Sequence, residues 1–405
     1  MNATVIDRDV WTGAGEALLA DAIALRRAIH EEPEIGLDCP RTTEKIKAAL
    51  AGLPLEFREG PSTTGLVAIL RGSGNGRTVL LRGDMDALPL HEDTGLSFAS
   101  RNPGAMHACG HDTHVAMLAG AARALCAERE RLNGTVVFMF QPGEEGWHGA
   151  RFMMEDGLLD DPKPDAAFAL HISPNLPSGV FASRTGPLLA SADVVRIKVR
   201  GAGGHAAMPQ DALDPIPIAC EIVMALQSFI TRRVSVFNPA VLTIAKIEAG
   251  TTNNIIPEDA YLLGTLRTMS ESTRTSVHAG IKQLVEHVAA AHGAKGEVEI
   301  ERGFPVTNCD GRIVDLAQRT VEEVFGADAW RTMPSPMMGA EDFAYVLQKT
   351  PGAMAFLGAA PEGGDFRTCC ALHSNRMVLN EEVMARGVAL HCALAQAFLN
   401  GDAVV

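Results

Sequence analysis

The stretch His107-Ala108-Cys109-Gly110-His111-Asp112-Thr113-His114 gathers three imidazoles, a thiol and a carboxylate into eight residues, between the turn signal Asn102-Pro103-Gly104 and an apolar helical run. A Cys and a His two residues apart can both face one metal ion if the backbone between them turns tightly, and Gly110 permits that turn. A polar loop with locally hydrogen-bonded histidines is the bland alternative, and it would prevail for an isolated His-x-x-His. Here further ligand-type residues recur along the chain at the ends of apolar strands, where open α/β sheets place their ligands. The stretch therefore reads as part of a metal site on an α/β scaffold.

Upstream, the spacing predicts an amphipathic helix over 16–31, a short helix over 42–50, and strands over 65–70 and 78–81 separated by the Gly-rich turn Gly72–Gly76. The second strand runs into Arg82-Gly83-Asp84-Met85-Asp86-Ala87-Leu88-Pro89. Asp84 and Asp86 fall on one side of an extended chain, and Asp86 is the candidate to orient a metal-binding histidine from behind. Downstream, a helix is expected over 115–129. The buried strand 135–140 then continues into Gln141-Pro142-Gly143-Glu144-Glu145-Gly146. Adjacent carboxylates on an extended chain cannot point the same way, so one can bind metal while its neighbour acts on water as general base. A third apolar strand, 166–170, ends in His171.

From about Leu188 the pattern changes. Alternating strands are expected over 194–199, 240–247, 260–268 and 297–301, with helices over 215–231 and 271–291, a self-contained split βαβ layout. Residues 188–303 thus read as an inserted domain, and 1–187 with 304–405 as a discontinuous first domain. His205 lies on the Gly-rich loop Gly201-Ala202-Gly203-Gly204-His205-Ala206, and Gly250–Pro257 forms a second polar loop in the insert. The returning chain is expected to form helices over 313–324, from Gly339 onward, and over 381–398. An apolar strand over 353–357 leads toward Leu372-His373-Ser374-Asn375.

At 405 residues the chain is long enough for two domains with real cores, and its net charge of −14 makes nucleic acid and anionic membranes poor partners. No apolar run reaches membrane-spanning length. Eight cysteines are scattered, and Met1–Arg8 has no basic and apolar signal pattern, so reduced thiols in a cytoplasmic enzyme are expected. Cys369 and Cys370 are adjacent and not expected to pair with each other, while Cys220 and Cys392 fall in apolar helical patterns as core residues.

The ligand-type residues collected at strand ends are Cys109, His111, Glu145, His171 and His373. Five exceed what one catalytic zinc takes, so two divalent ions are expected, with Glu144 outside the coordination sphere. The mixed thiolate, imidazole and carboxylate set suits Zn, Mn, Co or Ni.

These residues sit in motifs that resemble a known family. They are Arg27-x-x-His30-x-x-Pro33-Glu34, Gly83–Pro89, Met106–Asp112, Phe140–Gly146, Gly203–Ala207, Asn254-x-Ile256-Pro257, Glu341-Asp342-Phe343 and Leu372-His373-Ser374. Across nearly its whole length the chain resembles the metallo-amidohydrolases that include hippurate hydrolases, aminoacylases and auxin-conjugate hydrolases, relatives of glutamate carboxypeptidase. The resemblance implies a di-metal, aminopeptidase-like α/β catalytic domain with an inserted ferredoxin-like α+β lid that forms a homodimer or a tetramer. It assigns the five residues above as ligands and Glu144 as general base. His205 becomes the oxyanion donor, in relatives often from the partner's lid, and Asn254 and Arg267 hold the substrate carboxylate. Two departures, Asn375 where relatives carry Pro and Gln210 where many carry His, leave every ligand in place but bear on substrate choice. The expected reaction is hydrolysis of the amide of an N-acyl amino acid. A dipeptidase or aminopeptidase lacks an identifiable acceptor for a free α-amine, and a non-catalytic metal-dependent binding protein would have no use for Glu144.

Overall fold

The computed structural model describes residues 6–368 and 371–401, so the reading of Cys369 and Cys370, and that of the first five residues, lies outside the described residues. The chain divides into two compact units. One comprises Met1–Leu188, Asn308–Ser335 and Asp342–Val405, the other Leu189–Thr307 and Pro336–Glu341.

The larger unit is built on an eight-stranded sheet. Its order is Glu56–Glu59, Leu66–Arg71, Gly134–Gln141, Arg77–Asp84, Ala166–Ser173, Gly352–Gly358, Phe181–Ser183 and Trp330–Thr332. The central four strands run parallel, with Asp84 level with Gln141 and His171 level with Phe356. They are apolar runs buried along nearly their whole length, as strands of a sheet covered on both faces must be. Helices Arg8–His30, His111–Ala127 and Met384–Leu399 pack against one another. The first begins earlier than its sequence pattern suggests because Trp11 is buried, donating Nε1–H to Gln396 at 2.7 Å. The edge strand Glu56–Glu59, charged and mostly exposed, has no apolar signature at all.

The smaller unit is a four-stranded antiparallel sheet in the order Ala240–Ala249, Asp259–Thr268, Asp193–Arg200 and Lys295–Arg302. Helices Pro215–Arg233 and Glu271–Ala291 fill one face with Ile218, Ile222, Leu226, Val277, Ile281 and Val285. Both helices start on a side-chain cap, Asp214 accepting from the Ile216 amide and Ser270 from the Thr273 amide. Cys220 was expected in the core, but it is exposed. The buried stripe of its helix runs through Ile218, Ala219 and Ile222, and Cys220 is turned about 100° away from Ala219. Cys392 is buried as expected. Among the described residues no helix is long and apolar enough to cross a membrane.

Candidate metal centre

The helix expected from Val115 begins four residues earlier, at His111, with Gly110 capping it at φ +84°. Only glycine suits that position. The backbone is left-handed, and a Cβ there would stand 2.4 Å from Cγ2 of Ile172. The tight turn leaves Cys109 just outside the helix and His111 as its first residue, both buried. His114, one turn further on, was missed as a structural anchor. Its Nδ1–H donates to Asp84 at 2.5 Å and its Nε2 accepts the Ile172 amide at 2.7 Å, tying the helix to the ends of two parallel strands. The i, i+3 spacing of His111 and His114 was the available signal.

Asp86 does more than orient a histidine. Its two carboxylate oxygens accept the amides of Glu144 and Glu145 at 2.9 and 3.0 Å, and its main-chain carbonyl accepts Nδ1–H of His111 at 2.9 Å. That bond makes Nδ1 the donor and leaves Nε2 as the nitrogen that faces the other donors. His171 is set the same way, Nδ1–H donating to the Ile172 carbonyl at 2.6 Å while Nε2 stands 3.4 Å from Sγ of Cys109. His373, at φ +67°, has its amide on the Ala108 carbonyl and brings Nε2 to 3.2 Å from Oε1 of Glu145.

Three trios of donor atoms result, each with its members within 4.8 Å of one another: Cys109, His111 and His171; Cys109, Glu145 and His373; His111, Glu144 and Glu145. Cys109 belongs to two of them, which is the arrangement of two adjacent cation sites. Nε2 of His111 is buried without a hydrogen-bond partner, and Oε1 of Glu145, equally buried, has only Nε2 of His373 beside it at 3.2 Å. Unpaired polar atoms that converge on one point cost free energy unless something cationic joins them, so the donor set fits metal. A fourth trio, Asp84, His111 and His114, has the spacing but not the freedom, and a fifth places Glu144 with Glu341 and Asp342. Both oxygens of Asp84 are engaged, one by His114 and the other by Arg82 at 2.6 Å.

Arg82 heads a buried network the sequence did not reveal. It also donates to Gln141 at 2.8 Å and to Asp342 at 3.2 Å, and Asp342 in turn accepts from Gln141 and from the Ala150 amide. Four bonded groups thus lock the end of the strand pair from which Asp86 and the Glu pair emerge. Burial would raise the Asp84 carboxyl, but Arg82, His111 and His114 outweigh it and hold its pKa well below the ordinary value. A second network lies on the other side of the helix start. Arg26 and His30 both bond Asp112, at 3.1 and 2.8 Å, and Glu92 lies 3.3 Å from the other nitrogen of His30. Burial works against the imidazolium of His30, yet these two carboxylates raise its pKa to about 9.

The field at the ligands favours a cation. Burial opposes charge on His111, but Asp84 and Cys109 outweigh it and raise its pKa well above normal. Cys109 and then Glu145 raise that of His373 to about 10. Burial lowers His171 well below its ordinary value, keeping it the neutral imidazole a metal requires. Burial pushes the Cys109 thiol up.

In the smaller unit, Gly204–His205 is a short strand rather than a loop, paired with Ile255–Ile256. The Ala206 amide donates to the Asn254 carbonyl at 3.1 Å, so His205 and Asn254 are neighbours. Nδ1 of His205 accepts the Ala207 amide at 3.1 Å, which leaves Nε2–H as an exposed donor. Arg267 is half-buried, and its side chain makes no hydrogen bond or ion pair among the described residues. Burial lowers its pKa.

The model of peptidase family M20/M25/M40 matches residues 80–397. Thermostable carboxypeptidase 1 of Saccharolobus solfataricus is 38% identical over 384 residues, covering 93% of this chain and 95% of its own. N-acetylcysteine deacetylase of Bacillus subtilis is 38% identical over 346 residues, 85% of this chain and 90% of its own. An IAA-amino acid hydrolase of Arabidopsis thaliana is 35% identical over 385 residues, 94% and 86%. Among solved structures, a dinuclear metal-binding peptidase of the M20 family from Bacillus subtilis superposes with a TM-score of 0.82 at 33% identity, covering 95% of this chain and 99% of its own. With the family model over most of the chain and relatives at this identity, the chain belongs to peptidase family M20/M25/M40 and is a hydrolase whose clustered donors could hold metal ions.

Proposed function

We propose that the protein hydrolyses the amide bond of N-acyl amino acids, releasing a carboxylic acid and a free amino acid. The observation that carries this reading is the tandem Glu144-Glu145, pinned through both amides by Asp86 beside converging Cys and His donors. The names of the relatives support the bond type. A carboxypeptidase, a deacetylase and an amino acid conjugate hydrolase all describe cleavage of an amide on the amino side of an amino acid.

In this reading Cys109, His111, Glu145, His171 and His373 hold two divalent ions, drawn from Zn, Mn, Co or Ni. Such ions polarise the scissile carbonyl and make water a stronger acid. Glu144 accepts a proton from the attacking water and passes it to the leaving nitrogen as the C–N bond breaks. His205 donates Nε2–H to the developing oxyanion, and Arg267 with Asn254 takes the substrate carboxylate. The carboxylate role of Arg267 is supported by its half-buried guanidinium, which makes no ion pair among the described residues and feels Asp193 only at a distance.

The smaller unit, as lid, forms the homodimer in this reading. Its strand Ala240–Ala249 is a sheet edge, and Met224, Val236 and Phe237 stay 70, 82 and 90% exposed. The described cysteines are free thiols, which suits a reducing, cytoplasmic compartment.

The test is a panel of N-acetyl and N-benzoyl amino acids against dipeptides, assayed after reconstitution with Zn or Mn. Turnover of the N-acyl series over the dipeptides is expected. Preference for free-amine dipeptides would replace this reading with a peptidase, and no turnover in either series would leave only a binding protein.

A further inference from the structure

The chain has three tryptophans, and Trp11 and Trp330 are buried. Trp147 is 51% exposed and stands two residues beyond Glu145. Its loop is short and closed, the Gly149 amide donating to the Gly143 carbonyl at 3.0 Å and the Gly146 amide to the Glu144 carbonyl at 2.6 Å. One side of the indole rests on Gly36, at φ +81°, where an added Cβ would meet ring carbons at 3.1 and 3.2 Å. Gly36 therefore acts as a flat backstop that no other residue could provide without displacing the ring. The backstop is itself anchored to the site. Ile35, also exposed, bridges to Ala87, and the Ala87 amide donates to the Glu34 carbonyl at 2.7 Å. Ala87 directly follows Asp86, whose carboxylate holds Glu144 and Glu145.

Trp147 thus forms an apolar shelf backed by Gly36, on backbone hydrogen-bonded to the segment that carries the proposed base, with the exposed Ile35 adjacent to that backstop in sequence. A large aromatic held half-open by its own backing offers a π-face at small conformational cost, which suits stacking rather than core packing. Such a shelf repels a carboxylate and suits the uncharged end of an N-acyl amino acid. We propose that Trp147 is a specificity-determining residue that stacks on a planar, aromatic acyl group, so that N-aroyl amino acids are preferred over N-acetyl ones. This inference rests on the N-acyl amino acid reading above.

Two measurements test it. In the metal-loaded protein, kcat/KM for N-benzoyl relative to N-acetyl amino acids should fall about tenfold in Trp147→Ala, while Trp147→Phe, which keeps a ring, should retain most of the ratio. Benzoate, but not acetate, should alter the emission of the single exposed tryptophan, and that response should vanish in Trp147→Phe. An unchanged benzoyl-to-acetyl ratio in Trp147→Ala, or a benzoate response that survives Trp147→Phe, overturns the proposal while leaving N-acyl hydrolysis standing. Failure of the wild-type chain to cleave any N-acyl amino acid removes the functional reading, and this inference with it.

Discussion

Asp86 uses every acceptor it has on the centre, its carboxylate on the Glu144 and Glu145 amides and its carbonyl on His111. One residue therefore fixes the proposed base, one ligand and the tautomer of another. Asp86→Ala should weaken metal binding or lower kcat by roughly 10–100-fold, the usual range for partners behind metal ligands. Equal metal affinity and equal kcat in the variant would assign Asp86 to turn formation alone. The position of Asp86, two residues past Asp84 at the end of a buried strand, was legible in sequence. Its division of labour was not, because that depends on how 141–145 folds back over it. Protons enter at the same scale. With its pKa pushed up by burial, the Cys109 thiol is protonated at neutral pH without metal. Loading should then release protons, and metal affinity should rise with pH across the neutral range. Calorimetry in buffers of different ionisation enthalpy reads the release directly, and a pH-independent affinity would contradict it.

Helix His111–Ala127 shows where pattern reading stops. Its interior is apolar and easily recognised, but its first turn is His111-Asp112-Thr113-His114, which looks like a loop until the strand ends and Arg26 that receive those side chains are in place. Strand Glu56–Glu59 escaped for the converse reason, since an edge strand pairs through backbone and needs no apolar face. The parallel strands and the antiparallel sheet of the smaller unit were legible because burial on two faces or on one writes continuous or alternating patterns. Gly110→Ala tests the start of the helix. The left-handed φ and the contact with Ile172 should destabilise the larger unit by about 2 kcal/mol or more, and metal retention should drop with it. In the smaller unit Asp193 is buried between Arg274 and His278, bonding His278 at 2.6 Å. Burial raises its carboxyl, but His278 and Arg274 prevail and lower the pKa from 3.8 to about 2. A depressed folded pKa stabilises above the unfolded value, so this contribution is complete above about pH 4 and is lost as pH falls through about 2. Asp193→Asn removes the buried charge partner of Arg274, which keeps Glu271 at 3.1 Å and the Gly303 carbonyl at 3.0 Å, and should cost roughly 1–3 kcal/mol at pH 7. Urea unfolding at pH 7 that shows no difference would refute this.

At the scale of the whole molecule, the ligand-type residues and Glu144 belong to one compact unit and His205, Asn254 and Arg267 to the other. If His205 serves the partner's site, mixing His205→Ala with Glu144→Gln chains should restore part of the activity in heterodimers that carry one intact site. No recovery despite verified subunit exchange would place His205 in its own chain's site. The account as a whole depends on the adjacent carboxylates having different jobs, Glu145 holding metal and Glu144 moving protons. The direct measurement is metal content and turnover of Glu144→Gln beside Glu145→Gln, each reconstituted under the same conditions. Glu144→Gln should bind two ions per chain and lose on the order of 10²–10⁴-fold in kcat, the range for removal of a general base, whereas Glu145→Gln should lose metal. Metal lost from Glu144→Gln and kept by Glu145→Gln would contradict the account.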